Sequence, residues 1–107
     1  MKGETLRGHL DLLLLACVQG GSLHGYALIK ELRRRSCGSF DLPEGTVYPA
    51  LHRLERAGLL ASRWVAASGR RRRMYELTGK GRRTLEEESQ AWREFSESVN
   101  VVLEGGQ

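Results

Sequence analysis

The stretch from Leu42 to Leu60, LPEGTVYPALHRLERAGLL, determines how the rest of the chain is interpreted. Three of its apolar residues follow the four-then-three spacing that places side chains on one face of a helix. They are Val47, Leu51 and Leu54. We therefore predict a helix that begins near Glu44, turns one face to a core and ends before Gly58, a residue typical of helix C-termini.

The opposite face of this helix has a different composition. It carries small, hydroxyl, aromatic and basic side chains, and the predicted contacts are Thr46, Tyr48, Pro49, His52 and Arg53. Such side chains suit a helix that lies in a DNA groove. Pro49 has no N–H for the carbonyl of Gly45, so either the first turn is kinked but tolerated or Pro49 merely lies near the helix start.

The residues after Leu60 predict a hairpin. Ala61 to Ala66 and Arg72 to Leu77 have the character of strands, and Ser68-Gly69 lies between them as a turn. Four arginines, Arg70 to Arg73, lie at or just after this turn. A helix with a polar outer face followed by a basic-tipped hairpin is the order of a winged helix-turn-helix. We expect Arg70, Arg71 and Arg72 to contact phosphate or the minor groove.

Two helices are predicted before this unit. The first, at about 4–19, is apolar around most of its circumference, so we expect a second subunit to cover part of it through Leu10 and Leu14. The second runs from His24 to Arg35 and turns Tyr26, Leu28, Ile29 and Leu32 to the core. The arginines at its end, Arg33 to Arg35, either match the helix dipole as a solvated run or contact DNA.

A last helix is predicted from Gly79 or Lys80 to Leu103, with Thr78 as its cap. Its apolar residues follow a seven-residue repeat that indicates a dimer seam, although such a stripe also packs on its own domain in other proteins. The residues expected at the dimer interface are Leu10, Leu14, Leu85, Trp92, Phe95, Val99, Val102 and Leu103.

The same seam suggests a ligand pocket. Gly81 and Glu88 occupy apolar positions of the repeat and are expected to leave the neighbouring layers underfilled. A gap lined by Trp92 and Phe95 would accept a planar apolar or cationic molecule. The alternative is that Trp92 simply fills the core.

Length and charge agree with a small nucleic-acid-binding protein. We predict that the 107 residues comprise a winged helix-turn-helix domain at 1–78, a dimerisation helix at 79–104 and a disordered tail at 105–107. Residues 1–83 contain 16 Lys and Arg against 7 Asp and Glu, whereas residues 84–107 contain 1 against 6. The basic part is where a polyanion would bind. The predicted fold class is mainly α with a small β-hairpin (α+β).

Other functional classes lack support in the sequence. The longest apolar run, Leu12 to Val18, is too short to cross a bilayer and no signal peptide opens the chain, so we expect a cytoplasmic protein without a membrane partner. Cys17 and Cys37 are expected to be reduced, with Cys37 either a redox sensor or an ordinary loop thiol. No metal, cofactor or catalytic motif is present, which argues against an enzyme.

The sequence resembles the PadR family of bacterial transcriptional repressors along nearly its whole length. The resemblance rests on LHGYALIKEL at Leu23 to Leu32, GTVYPALHRLERAGLL at Gly45 to Leu60 and GRRRRMYELTGKGR at Gly69 to Arg82. It implies a homodimer that binds a palindromic operator in double-stranded DNA and is released by a small effector or another signal.

The resemblance also implies roles for individual residues. Thr46 and Tyr48 match recognition-helix positions, and Gly69 to Arg73 matches the wing. Trp92 matches a tryptophan that lines a ligand pocket in a multidrug-sensing relative. Met74 departs from the family, which often has a second aromatic residue there. An alternative remains open, because a winged helix can also be a protein-interaction module that does not bind DNA.

Overall fold

The computed structural model describes residues 9–105 and shows a helical domain with a small antiparallel sheet. Its elements in chain order are α1 (Leu10–Cys17), β1 (Leu23–His24), α2 (Gly25–Arg35), α3 (Glu44–Arg56), β2 (Leu60–Ala67), β3 (Arg70–Leu77) and α4 (Gly79–Leu103). The predicted α+β fold, with a winged helix-turn-helix order and a long last helix, is therefore confirmed. The start of the first predicted helix and most of the predicted tail lie outside the described residues.

Helix α3 has the bounds that its sequence predicted. Val47, Leu51 and Leu54 are buried in the core, and Gly58 ends the helix in the left-handed region with a φ of 79°. Pro49 lies inside the helix, which continues through it to Arg56. At Gly45, one turn before Pro49, a Cβ would have no other part of the chain within 4 Å, apart from its own helix backbone and neighbours. A side chain at this position would therefore enter open space.

The sheet contains one strand that the sequence analysis missed. Strands β2 and β3 form the predicted hairpin, and the two-residue strand β1 pairs with the other edge of β3, with Leu23 opposite Tyr75. A strand of two residues is too short to show an alternating pattern, so periodicity could not reveal it. This pairing brings the start of α2 next to the hairpin.

The hydrophobic core is formed by the buried faces of the four helices together with buried side chains of the sheet. Its most buried large side chains are Tyr75, Leu14, Leu15, Leu28, Leu51, Leu54, Leu60 and Val47. Tyr26 was expected among them but is 50 % exposed, with the Lys30 ammonium 4.7 Å from its ring centroid. That prediction was wrong, because the side chain projects from the outer side of α2.

Three residues predicted at a dimer interface are instead buried within the chain. Leu10, Leu14 and Leu85 are 6 %, 0 % and 4 % exposed, since the apolar faces of α1 and α4 pack together with the rest of the core. A side chain without exposed surface offers none to a partner. The large apolar residues of α4 that remain exposed lie further along the helix: Trp92, Phe95, Val101, Val102 and Leu103.

Gly81 also has a role other than the one predicted. It is buried where α4 crosses the Leu59 backbone, and a Cβ at this position would lie 2.1 Å from the carbonyl oxygen of Leu59. The absence of a side chain therefore allows close contact between α4 and the segment after α3, rather than leaving a gap in a dimer seam.

We expect Gly81→Ala to destabilise the protein by about 2–3 kcal/mol, because the clash is with backbone rather than with a flexible side chain. Gly45→Ala is the matched control, since its new methyl group enters open space in a helix and is expected to stabilise by up to about 1 kcal/mol. Urea unfolding of both variants measures the difference. Equal stabilities would contradict the proposed packing.

Candidate nucleic-acid interface

The outer face of α3, the start of α2 and the hairpin enclose an open groove of about 620 Å³. Its lining includes Tyr48 and His52 of α3, Trp64 of β2 and Arg70 to Arg73 of β3. Tyr48 lies across α2 so closely that a Cβ on Gly25 would be 2.5 Å from its ring. The glycine of the LHGY sequence thus makes room for the tyrosine of α3.

The predicted α3 contacts are not all in one place. Tyr48 and His52 line the groove, and Pro49 is exposed beside them. Arg53 points toward α1 instead, where one of its guanidinium nitrogens donates to both carboxylate oxygens of Asp11 at 2.8 and 2.7 Å. Thr46, seven residues earlier, is half-buried. The structure therefore separates Arg53 from the groove residues with which it was grouped.

Three of the four hairpin arginines are available for a ligand. Arg70, Arg71 and Arg72 are exposed, and within residues 9–105 none of them forms an ion pair with a carboxylate. Arg73 differs, because it lies 3.4 Å from a carboxylate oxygen of Glu55 at the end of α3. The same oxygen accepts a hydrogen bond from the Ser62 hydroxyl. Arg73 thus connects the hairpin to α3.

Trp64 is a groove residue that the sequence analysis did not select. It pairs with Arg73 in the hairpin register and is 55 % exposed. The guanidinium carbons of Arg71 and Arg73 lie 4.9 and 5.3 Å from its ring centroid, which is the geometry of cation–π contacts. The alternation of residues along β2 and β3 could have revealed this group, since all three side chains share one face of the hairpin.

His24 is the second residue that was missed. Its Nδ1 accepts a hydrogen bond from the backbone N–H of Ala27 and so caps α2, while its Nε2 lies 2.6 Å from a guanidinium nitrogen of Arg72. Burial, and then the positive charges of Arg72 and Lys30, lower the pKa of His24 below its ordinary value of 6.5. The ring is therefore mainly neutral at pH 7.

The beginning of α4 is attached to the end of α3. The Thr78 hydroxyl donates to the carbonyl of Gly58 at 2.6 Å, and the Lys80 ammonium donates to the carbonyl of Ala57 at 2.8 Å. Thr78 also caps α4 as predicted, because its hydroxyl accepts from the N–H of Gly81. The orientation of α4 is thus coupled to that of the helix that faces the groove.

A second groove of about 460 Å³ lies between α1 and α4. It contains both residues that were predicted to bind a ligand, Trp92 and Phe95, with their ring centroids 6.2 Å apart. His9 contacts Trp92 edge-on at a centroid distance of 4.8 Å. Trp92 is 43 % exposed and so is only partly covered by its own chain.

The described residues contain few features of other functional classes. No group of three metal-ligating side chains is found among them, and none of their helices is long and apolar enough to cross a membrane. Cys17 and Cys37 are both free thiols. Burial raises the pKa of the Cys17 thiol, whereas Cys37 is exposed in the loop after α2.

Comparison with known proteins identifies the family. The Transcriptional regulator PadR-like family matches residues 14–87. The transcriptional regulator Rv3488 of Mycobacterium tuberculosis is 38 % identical over 96 residues, which cover 90 % of this chain and 87 % of that protein.

Solved structures agree with this match. A PadR-like transcriptional regulator from Bacillus cereus superposes with a TM-score of 0.85 at 32 % identity, covering 96 % of this chain and 99 % of that one. A PadR family transcription regulator from Clostridium difficile gives 0.80 at 35 % identity, covering 90 % and 99 %. These relatives are transcriptional regulators rather than enzymes, and the chain belongs to the PadR-like family of transcriptional regulators.

Proposed function

We propose that this protein is a homodimeric repressor that binds a palindromic DNA operator. The observation that supports this most directly is the groove between α3 and the hairpin, where three arginines without carboxylate partners among the described residues lie beside the exposed face of α3. Arginines in such a position neutralise phosphates and release counterions, which provides most of the affinity for DNA.

In this proposal α3 enters the major groove and the hairpin contacts the backbone or the minor groove. Thr46, Tyr48, Pro49 and His52 are the α3 residues assigned to DNA, and Arg70, Arg71 and Arg72 are those of the wing. Arg53 is left out of the assignment because Asp11 holds its guanidinium. A two-fold dimer would place its two α3 helices in successive major grooves, about 10 bp apart.

The first prediction concerns the wing. Replacing Arg70 and Arg71 together by alanine should weaken binding to all duplexes and reduce the slope of log K against log salt by about 2. Binding titrations at four or five salt concentrations measure this slope. The variant Arg33→Ala/Arg34→Ala removes the same charge from the end of α2 and is expected to leave the slope unchanged.

An unchanged slope in the wing variant would exclude the wing from the interface. A reduced slope in the α2 variant would instead show that the end of α2 contacts DNA. A wild-type protein that binds no duplex even at low salt, where counterion release is most favourable, would favour the alternative of a protein-interaction module.

Dimerisation is assigned to the part of α4 that extends past the core. Phe95, Val102 and Leu103 are 62 %, 74 % and 76 % exposed, and Val99 is half-buried among them. Trp92 continues this apolar surface toward α1. Exposed apolar side chains grouped at the end of one helix are typical of a surface that a partner covers.

We expect Val99→Asp to convert the dimer to monomers at micromolar concentration, because it places a charge in an apolar interface at a cost of several kcal/mol. Asn100→Asp adds the same charge at the neighbouring position, which lies on another side of the helix, and should leave the dimer intact. Sedimentation equilibrium distinguishes the two. A Val99→Asp variant that sediments as the wild-type dimer would contradict this interface.

A small aromatic effector is assigned to the groove that contains Trp92 and Phe95. Stacking and cation–π contacts with these rings would contribute about 0.5–2 kcal/mol each. Because α4 is hydrogen-bonded to the end of α3, a ligand that changes the angle of α4 would also change the spacing of the two α3 helices. Binding of the ligand would thereby weaken binding to the operator.

Planar aromatic dyes test this site. A dye that binds there should quench the fluorescence of Trp92 and lower the affinity for DNA, whereas Trp92→Phe, which retains only the signal of Trp64, should lose the quenching. Quenching without any change in DNA affinity would exclude the groove as a regulatory site. If no dye in a broad panel quenches Trp92, the tryptophan is a packing residue.

A further inference from the structure

His24 lies between two hydrogen-bond donors that belong to different elements. One is the backbone N–H of Ala27 in the first turn of α2, 3.1 Å from Nδ1. The other is the guanidinium of Arg72 on β3, whose nearest nitrogen is 2.6 Å from Nε2. Both ring nitrogens of His24 are thus in contact with N–H groups.

A neutral histidine ring cannot accept a hydrogen bond at both of its nitrogens, so one of these two N–H groups has no acceptor on the ring. A neutral imidazole has one N–H donor and one acceptor nitrogen, and arginine has only donors. The ring can therefore accept from Ala27 or from Arg72, but not from both. The contact with Ala27 caps a helix and is fixed by the backbone, so the ring proton lies on Nε2 and faces Arg72.

The 2.6 Å separation leaves no room for an atom between the two nitrogens, so the exposed Arg72 side chain must turn aside for an anionic oxygen to accept from both Nε2–H and the guanidinium. Hydrogen bonds from charged donors to anionic oxygens are about twice as strong as those between neutral groups. Lys30 adds a further positive charge close enough to act on the His24 ring. The Tyr48 hydroxyl lies against Gly25, the residue after His24, and lines the same groove. These groups select for a compact oxyanion.

We propose that His24 and Arg72 together bind one phosphate of the DNA backbone. DNA is the source of phosphate that the position favours, because both residues line the groove that α3 and the wing form. The inference rests on the proposed DNA-binding function. It adds that the start of α2 and the wing hold the same phosphate, which fixes how α3 lies in the major groove beside them.

Two substitutions test the contribution of each donor to DNA binding separately. His24→Asn keeps a side-chain oxygen that can accept from Ala27 N–H but removes the ring N–H. It should weaken binding to a random duplex of about 30 bp roughly tenfold without changing the salt slope, because a neutral donor releases no counterion. Arg72→Gln should weaken binding and reduce the slope by about 1. Arg33→Gln, the same loss of charge at the exposed end of α2, is the control.

Single methylphosphonate substitutions then locate the phosphate in a duplex that the wild-type protein selects from a random pool, because the protein binds such a site in one register. One substituted position in each half-site should weaken binding of the wild-type protein about tenfold, yet have no effect on the variant that carries both His24→Asn and Arg72→Gln. This comparison remains valid if His24→Asn lowers the melting temperature, because each protein is compared with itself on two duplexes.

Four results would overturn the inference or the proposed function on which it rests. Unchanged affinity of His24→Asn, or a methylphosphonate pattern that is the same for the double variant and the wild-type protein, would remove His24 and Arg72 from the interface. A shift of the His24 ring signals with inorganic phosphate, without an effect of His24→Asn on DNA affinity, would assign the pair to a free anion. A wild-type protein that binds no duplex would overturn the proposed function itself.

Discussion

The carbonyl groups of Ala57 and Gly58, which directly follow α3, accept hydrogen bonds from the start of α4. Thr78 donates to Gly58 and Lys80 donates to Ala57, while Gly81 brings the α4 backbone against the carbonyl of Leu59. These contacts determine where a 25-residue helix leaves the domain. The position of the exposed end of α4, and so the geometry of any dimer formed through it, depends on this short junction.

The sequence predicted those elements whose side chains repeat with a clear period. The spacing of Val47, Leu51 and Leu54 located α3, and the Ser68-Gly69 turn located the hairpin. Strand β1 was missed because two residues carry no period. Tyr26 was wrongly predicted to be buried. It lies at the edge of the apolar face of α2, where a tyrosine can be either buried or exposed.

The candidate interface was predicted in part, because helix projection gives a direction but not the neighbours. Helix projection selected the exposed face of α3. It could not show that Arg53 donates a hydrogen bond to Asp11, which is 42 residues away in sequence. It also placed Leu10, Leu14 and Leu85 at a partner's surface, although α1 and α4 bury them against the same core. His24 and Trp64 were missed because their roles depend on Arg72 and on Arg71 and Arg73, which pair with them only in the folded chain.

The contact between Arg71 and Trp64 has a consequence for conformational entropy. A free arginine side chain loses rotamer freedom worth about 2 kcal/mol when a ligand immobilises it. In this protein the indole of Trp64 already restricts Arg71 before any ligand arrives, with the guanidinium 4.9 Å from the ring centroid. Part of that entropy is therefore lost during folding, and a polyanion that binds at the wing encounters a side chain that is already ordered.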